Sequence, residues 1–223
     1  EVIEIDGVET ASYMGNIGYI KLPVFNENTA YDIVGSIQAF KENMDLSGLI
    51  VDLRNNPGGI LSSVVRSTDL FLDASSLGDN KLIVYTKGRM DQSQSQHHAT
   101  QGDLINGVPM VVIINEGSAS AAEIFAAALQ SHNRAVVIGN KSFGKGSVQT
   151  VLPLPDSSLI KITTALYYTP DDVSIQAEGV VPDILIPYKT LPDLEEEESW
   201  FDSISEENLP DQLVNKYLPQ NDE

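Results

Sequence analysis

The stretch Val108-Pro109-Met110-Val111-Val112-Ile113-Ile114-Asn115-Glu116-Gly117-Ser118-Ala119-Ser120-Ala121-Ala122-Glu123-Ile124 decides the fold. Its first seven residues are a short apolar run rich in β-branched side chains, the pattern of a buried strand. Gly117 then breaks the run, and small apolar residues open a helix that extends from Ser120 to about Gln130. A side chain at the point where a strand turns sharply into a helix is presented at the edge of a sheet. The positive end of the helix dipole lies beneath it.

The same strand-to-helix alternation recurs on both sides of this unit. Residues 18–24 alternate at period two and read as a strand, and residues 28–43 carry Ala30, Ile33, Val34, Ile37 and Phe40 as a helical apolar stripe. Residues 49–53 form a short buried strand that runs into the turn Arg54-Asn55-Asn56-Pro57-Gly58-Gly59, and residues 60–72 read as helix. Further strands are expected at 81–85, 135–138 and 159–168, with a polar, glutamine-rich loop at 91–100. Strands with nearly all-apolar cores, alternating with helices, indicate an α/β fold whose sheet is covered on both faces.

Ser120 has two readings. With Glu123 three residues later it is a capping box, which needs no chemistry. Its place at a strand-to-helix turn also suits a nucleophile, with the Ala121 N–H as an oxyanion donor. Ser118 is the competing hydroxyl, and residue chemistry alone leaves both open. Lys145, in Ser142-Phe143-Gly144-Lys145-Gly146, follows the next strand by a few residues. A lysine can serve as the general base for a serine where a dry setting leaves the amine neutral. The flanking glycines allow close backbone approach, and Phe143 can help exclude water. The Gly58-Gly59 turn can supply a second backbone donor to an oxyanion.

A rival reading is a nucleotide-binding P-loop, because Gly139-Asn140-Lys141-Ser142-Phe143-Gly144-Lys145 fits its spacing. The match fails at Gly146, where a hydroxyl must hold magnesium. It fails again after it, because Val148 to Pro155 reads as extended chain and offers no helix N-terminus to a phosphate. The histidines support no triad or metal site: His97 and His98 are adjacent in the polar loop, and His132 follows a helix end.

Composition narrows the classes further. The 223 residues carry a net charge of −19, and residues 190–223 hold eleven of the 32 acids but one of the 13 bases. Neither part has the basic footprint of a nucleic-acid binder. The absence of cysteine excludes thiol catalysis and disulfides, and no apolar run spans a bilayer. The expected organisation is an N-terminal segment at 1–17, a core at 18–187 and an acidic tail at 188–223.

Together, Gly18-Tyr19-Ile20, Asp52-Leu53-Arg54-Asn55-Asn56-Pro57-Gly58-Gly59, Gly117 to Glu123, Ser142 to Gly146 with Gln149, and Tyr167-Tyr168-Thr169-Pro170 with Pro182-Asp183-Ile184 resemble the C-terminal processing peptidases, also called tail-specific proteases. The resemblance covers about residues 18–187. It implies an α/β core with a mixed sheet and helices packed on it, of crotonase-like or ClpP-like topology. It further implies a serine endopeptidase that cuts proteins near their C-termini without metal or cofactor. By that likeness Ser120 is the nucleophile rather than Ser118, Lys145 its base, and Gln149 the residue that orients the amine. One glycine of Gly58-Gly59 and the Ala121 N–H would form the oxyanion hole.

Members of this family usually carry a PDZ domain ahead of the segment that begins here near Gly18. Residues 1–17 are too short for one, although residues 1–9 could be a remnant strand. The expectation is therefore either a piece of a longer chain or a variant without the PDZ domain, with a PDZ domain in the longer chain or in trans as the partner to look for. Ser131 stands where some members have an aspartate, so no acidic third residue is expected. The family likeness also implies protein substrates with accessible C-termini and an extracytoplasmic location, the bacterial periplasm. The alternatives are a non-catalytic ligand- or peptide-binding module on the same fold, the P-loop reading, and a catalytically latent fragment whose lysine is misplaced without a missing domain.

Overall fold

The computed structural model describes residues 7–187 and 205–208. The acidic tail expected at 188–223 therefore lies outside the described residues except for that short piece, as do residues 1–6.

The first strand, β1 (Glu9–Tyr13), pairs antiparallel with β2 (Ile17–Lys21). The chain then alternates: α1 (Thr29–Asn43), β3 (Gly48–Asp52), α2 (Leu61–Asp69), β4 (Leu82–Gly88), β5 (Ser95–His98), β6 (Met110–Ile114), α3 (Ala121–Ser131) and β7 (Val136–Gly139). It ends in β8 (Ser147–Pro153), β9 (Leu159–Tyr168) and the short β10 (Ile184–Leu185). One six-stranded sheet has the order β1-β2-β3-β6-β7-β10, with every pair after β1–β2 parallel. A second, antiparallel sheet has the order β5-β4-β9-β8.

The strand order explains where the helices lie. From β2 to β3, β6 and β7 each step moves to the next neighbour in the same direction. Right-handed crossovers then put all the connecting helices on one face. Accordingly α1 packs on α2 and α2 on α3, and the second sheet approaches the same layer through β4. The expectation of a single sheet covered on both faces is thus modified. In β6, and in β3 up to Val51, buried residues alternate with half-buried ones, so one face is deeply covered and the other is not.

Helix α3 lies between β7 of one sheet and β4 of the other, and every residue from Ala121 to Leu129 is buried. That explains its composition. An all-round apolar helix belongs at the centre of a domain. Phe125 anchors it, edge-on to Phe71 at 6.0 Å and tilted against Phe25 at 5.8 Å. Glu123 is the one charged residue in this stretch, and it is fully buried.

The expected polar loop at 91–100 contains β5, an edge strand with no apolar alternation to announce it. The chain that the P-loop reading required to be helical is β8.

Candidate active site

Three loops meet at the carboxyl ends of the parallel strands, the usual place for a site in such a sheet. They follow β3, β6 and β7. The first two are bolted together by Asn55 and Asn115. Asn55 donates its backbone N–H to Asn115 Oδ1 at 2.8 Å, and Asn115 Nδ2 donates to Asn55 Oδ1 at 2.9 Å. Ala119 N–H then donates to Asn56 O at 2.9 Å.

At the end of this frame Ser120 has φ +55° and ψ −112°. A non-glycine residue there is strained, at a cost of about 1–3 kcal/mol, and such strain is sustained only where the surroundings over-determine it. The half-buried Ser120 stands at the N-terminus of α3. Ser118 is fully buried, donates its hydroxyl to Leu53 O at 2.8 Å and accepts from Asn115 N–H at 3.0 Å. It is a brace between two loops and is closed to a substrate.

The glycine turn packs directly on the serine. A Cβ on Gly58 (φ +106°) would stand 2.8 Å from Ser120 Cβ, 2.8 Å from Ala119 O and 2.9 Å from Ala121 N. The Gly58 N–H is engaged by Asn56 Oδ1 at 2.8 Å. The N–H groups of Gly59 and Ala121 make no hydrogen bond among the described residues. Gly59 (φ +145°) lies so close to Phe25 that no side chain fits.

The β3 end of this frame is held by Asp52, which is fully buried. It accepts from Arg54 at 2.6 Å and from the Tyr19 hydroxyl at 2.7 Å. Burial pushes the Asp52 carboxyl up, but the Arg54 and Tyr19 hydrogen bonds outweigh it and hold the group below its usual range.

The third loop, residues 142–146, is attached to the serine through Glu123. Glu123 Oε2 accepts from the Ser120 N–H at 2.7 Å and from the Lys145 N–H at 2.9 Å. Glu123 Oε1 accepts from Ser142 Oγ at 2.6 Å and from the Gly144 N–H at 2.6 Å. Burial pushes this carboxyl up to about 7 despite four donors aimed at it. The sequence pattern marks Glu123 as the N3 member of a capping box, which it is. The three further donors come from a loop some twenty residues away and were not legible. The available signal was a lone acid in an otherwise apolar helix.

Lys145 is half-buried, and among the described residues no carboxylate pairs with its amine. Gln149 is exposed, at a bulge in the β8–β9 ladder, and its carboxamide makes no hydrogen bond among the described residues. His132 caps the end of α3 and contacts Leu82 O at 2.7 Å, while His97 and His98 lie on β5 away from these loops.

Residues 16–186 match the model of peptidase family S41. The chain is 45% identical over 175 residues to a carboxy-terminal-processing protease of Bartonella bacilliformis, covering 77% of this chain and 39% of that protein. It is 39% identical over 171 residues to the chloroplastic carboxyl-terminal-processing peptidase 3 of Arabidopsis thaliana, covering 77% of this chain and 32% of that one. Among solved structures it is similar to a photosystem II D1 C-terminal processing protease, with a TM-score of 0.72, 27% identity, and coverage of 95% of this chain and 55% of that one. The chain thus spans well under half the length of these two curated relatives.

Proposed function

The chain belongs to peptidase family S41, and on that premise we propose that it is a serine endopeptidase working through Ser120 and Lys145. The observation that carries the proposal is the shared Glu123 oxygen, which ties the backbone of a strained, half-buried serine to that of the lysine.

In this reading Ser120 Oγ attacks the scissile carbonyl carbon while the neutral Lys145 amine takes the hydroxyl proton. The carbonyl oxygen gains negative charge and is received by the N–H groups of Ala121 and Gly59. The lack of a side chain at Gly58 lets the glycine turn approach Ser120 and the Ala121 N–H this closely. Collapse of the tetrahedral adduct breaks the C–N bond, and Lys145 returns its proton to the leaving amine. Water then hydrolyses the acyl-enzyme by the same route. Gln149 would orient the amine from its bulge on β8, since a bulge re-aims the side chains next to it.

The substrates of this reading are extended protein C-termini. Strand β8 starts at Ser147, two residues past Lys145, and lies at the edge of its sheet. A peptide added to that edge as a further strand would run past the lysine. A PDZ domain, in a longer chain or in trans, would present the tails. The setting is extracytoplasmic, the bacterial periplasm.

The test is cleavage of an unfolded model protein by the parent chain, Ser120→Ala and Lys145→Ala, with circular dichroism of each. Loss of cleavage in both folded variants supports the pair. Retained cleavage in either removes that residue from the mechanism.

A further inference from the structure

The 142–146 loop has all five N–H groups bonded. Ser142 donates to Val180 O at 3.1 Å and Phe143 to Ser118 O at 3.0 Å, while Gly144 and Lys145 donate to Glu123. Gly146 donates to Gln176 Oε1 at 3.1 Å. The carbonyls of Gly144 and Gly146 accept from the N–H groups of Ala177 and Tyr167, at 2.8 and 2.7 Å. The Phe143 carbonyl is reached from much further along the chain. It accepts from the N–H of Glu206 at 2.9 Å.

Glu206 begins a single 3-10 turn, Glu206–Asn208, and its carboxylate makes a second contact with the same region. Gln176 Nε2 donates to Glu206 Oε1 at 3.0 Å. Gln176 is fully buried, and its backbone lies so close to Gly146 that a Cβ there would come within 2.3 Å of Gln176 N. One carboxamide therefore bridges the N–H just after Lys145 and the acid of the tail segment. Ser205 and Glu206 are themselves half-buried, although they belong to a strongly acidic stretch.

We propose that residues 205–208 are a strap that positions Lys145. Glu206 grips the loop on both sides of the lysine, directly at Phe143 and through the Gln176 carboxamide at Gly146. This rests on the reading of Lys145 as the base. A proton acceptor works only when held within a fraction of an ångström of its partner, and anchoring both flanks of a glycine-bounded residue supplies that restraint. Glu206 is thus a positioning residue that acts through the loop and touches no substrate.

The experiment uses the full chain with Glu206→Ala, which removes the acceptor for Gln176, Glu206→Pro, which removes that acceptor and also the N–H donor to Phe143, and Glu206→Gln, which keeps both. Steady-state cleavage of a peptide and hydrogen exchange at the Gly146 amide are read on each. The strap predicts that Glu206→Ala and Glu206→Pro lose kcat roughly three- to tenfold, the equivalent of about one net hydrogen bond, with KM little changed. It also predicts faster exchange at Gly146 in both and recovery of both properties in Glu206→Gln. A rise in kcat would make the segment an inhibitor and overturn the proposal. So would an unchanged kcat or an unchanged Gly146 exchange rate. Ser120→Ala in the same assay separates the two levels: if it still cleaves, the serine–lysine reading fails and Gly146 exchange alone decides the strap.

Discussion

The backbone N–H groups of Ser120 and Lys145 donate to a single carboxylate oxygen, Glu123 Oε2, at 2.7 and 2.9 Å. Two segments 25 residues apart are thereby fixed to each other by main chain, before either side chain is considered. The other oxygen accepts from the Ser142 hydroxyl and the Gly144 N–H. Glu123 is therefore the joint between the serine elbow and the lysine loop.

Replacing that joint by an amide should break it. Glu123→Gln keeps one oxygen acceptor and turns an NH2 group towards two donors, whichever way the amide is placed. At least one buried N–H loses its partner, at about 1–3 kcal/mol. We expect a lower melting temperature and at least a tenfold fall in kcat/KM. Glu123→Gln with full stability and activity would show that the joint is dispensable.

The same carboxyl gives opposite pH trends for stability and rate. Burial raises it from 4.5 to about 7, so between those values the folded chain holds a proton that the unfolded chain has released. Its contribution to stability should therefore fall, on the order of 1–3 kcal/mol, as pH rises from about 4.5 through about 7, and level off above that. Only the ionised form offers acceptors to all four donors, so cleavage should decline as pH drops below about 7. The check is denaturant unfolding of the parent chain and Glu123→Gln at pH 5 and pH 8. The stability of the parent relative to the variant should be smaller at pH 8, and an increase would contradict the assignment.

Adding a side chain at Gly58 should stop the reaction. The new Cβ of Gly58→Ala would crowd Ser120 Cβ and Ala121 N, where the oxyanion is to be received, at a φ that disfavours any side chain. Losing an oxyanion interaction costs about 100-fold or more in kcat. Cleavage by a folded Gly58→Ala chain at the parent rate would place the oxyanion elsewhere.

Strain at Ser120 makes a stability prediction independent of catalysis. Ser120→Gly relieves φ +55° and should raise stability by about 1 kcal/mol, or about 2–4 °C for a chain of this size, while abolishing cleavage. Ser120→Ala keeps the Cβ and should show no such gain. Equal melting temperatures for the two variants would mean that the backbone there stores no strain.

Much of this was readable from local pattern. The period-two run at 18–24, the stripe of α1 and the apolar runs of β3 and β6 each carry their own signal, and β9 falls at the expected residues. The segments carrying Ser120 and Lys145 stood out because glycines punctuate both. β5 was not, because an edge strand of polar residues has no buried face to mark it. The single helix layer follows from strand order, which no local window contains. Glu123, Gln176 and Glu206 owe their roles to partners that only folding brings near. The engagement of the Gly58 N–H by Asn56 is a local contact that composition could not distinguish from an open donor.

Whether Ser120 is a nucleophile activated by Lys145 can be read with a fluorophosphonate probe followed by peptide mapping. A single adduct on Ser120 is expected in the parent chain, with its loss in a folded Lys145→Ala chain. An adduct on another serine, or undiminished labelling of Ser120 without Lys145, would contradict that role.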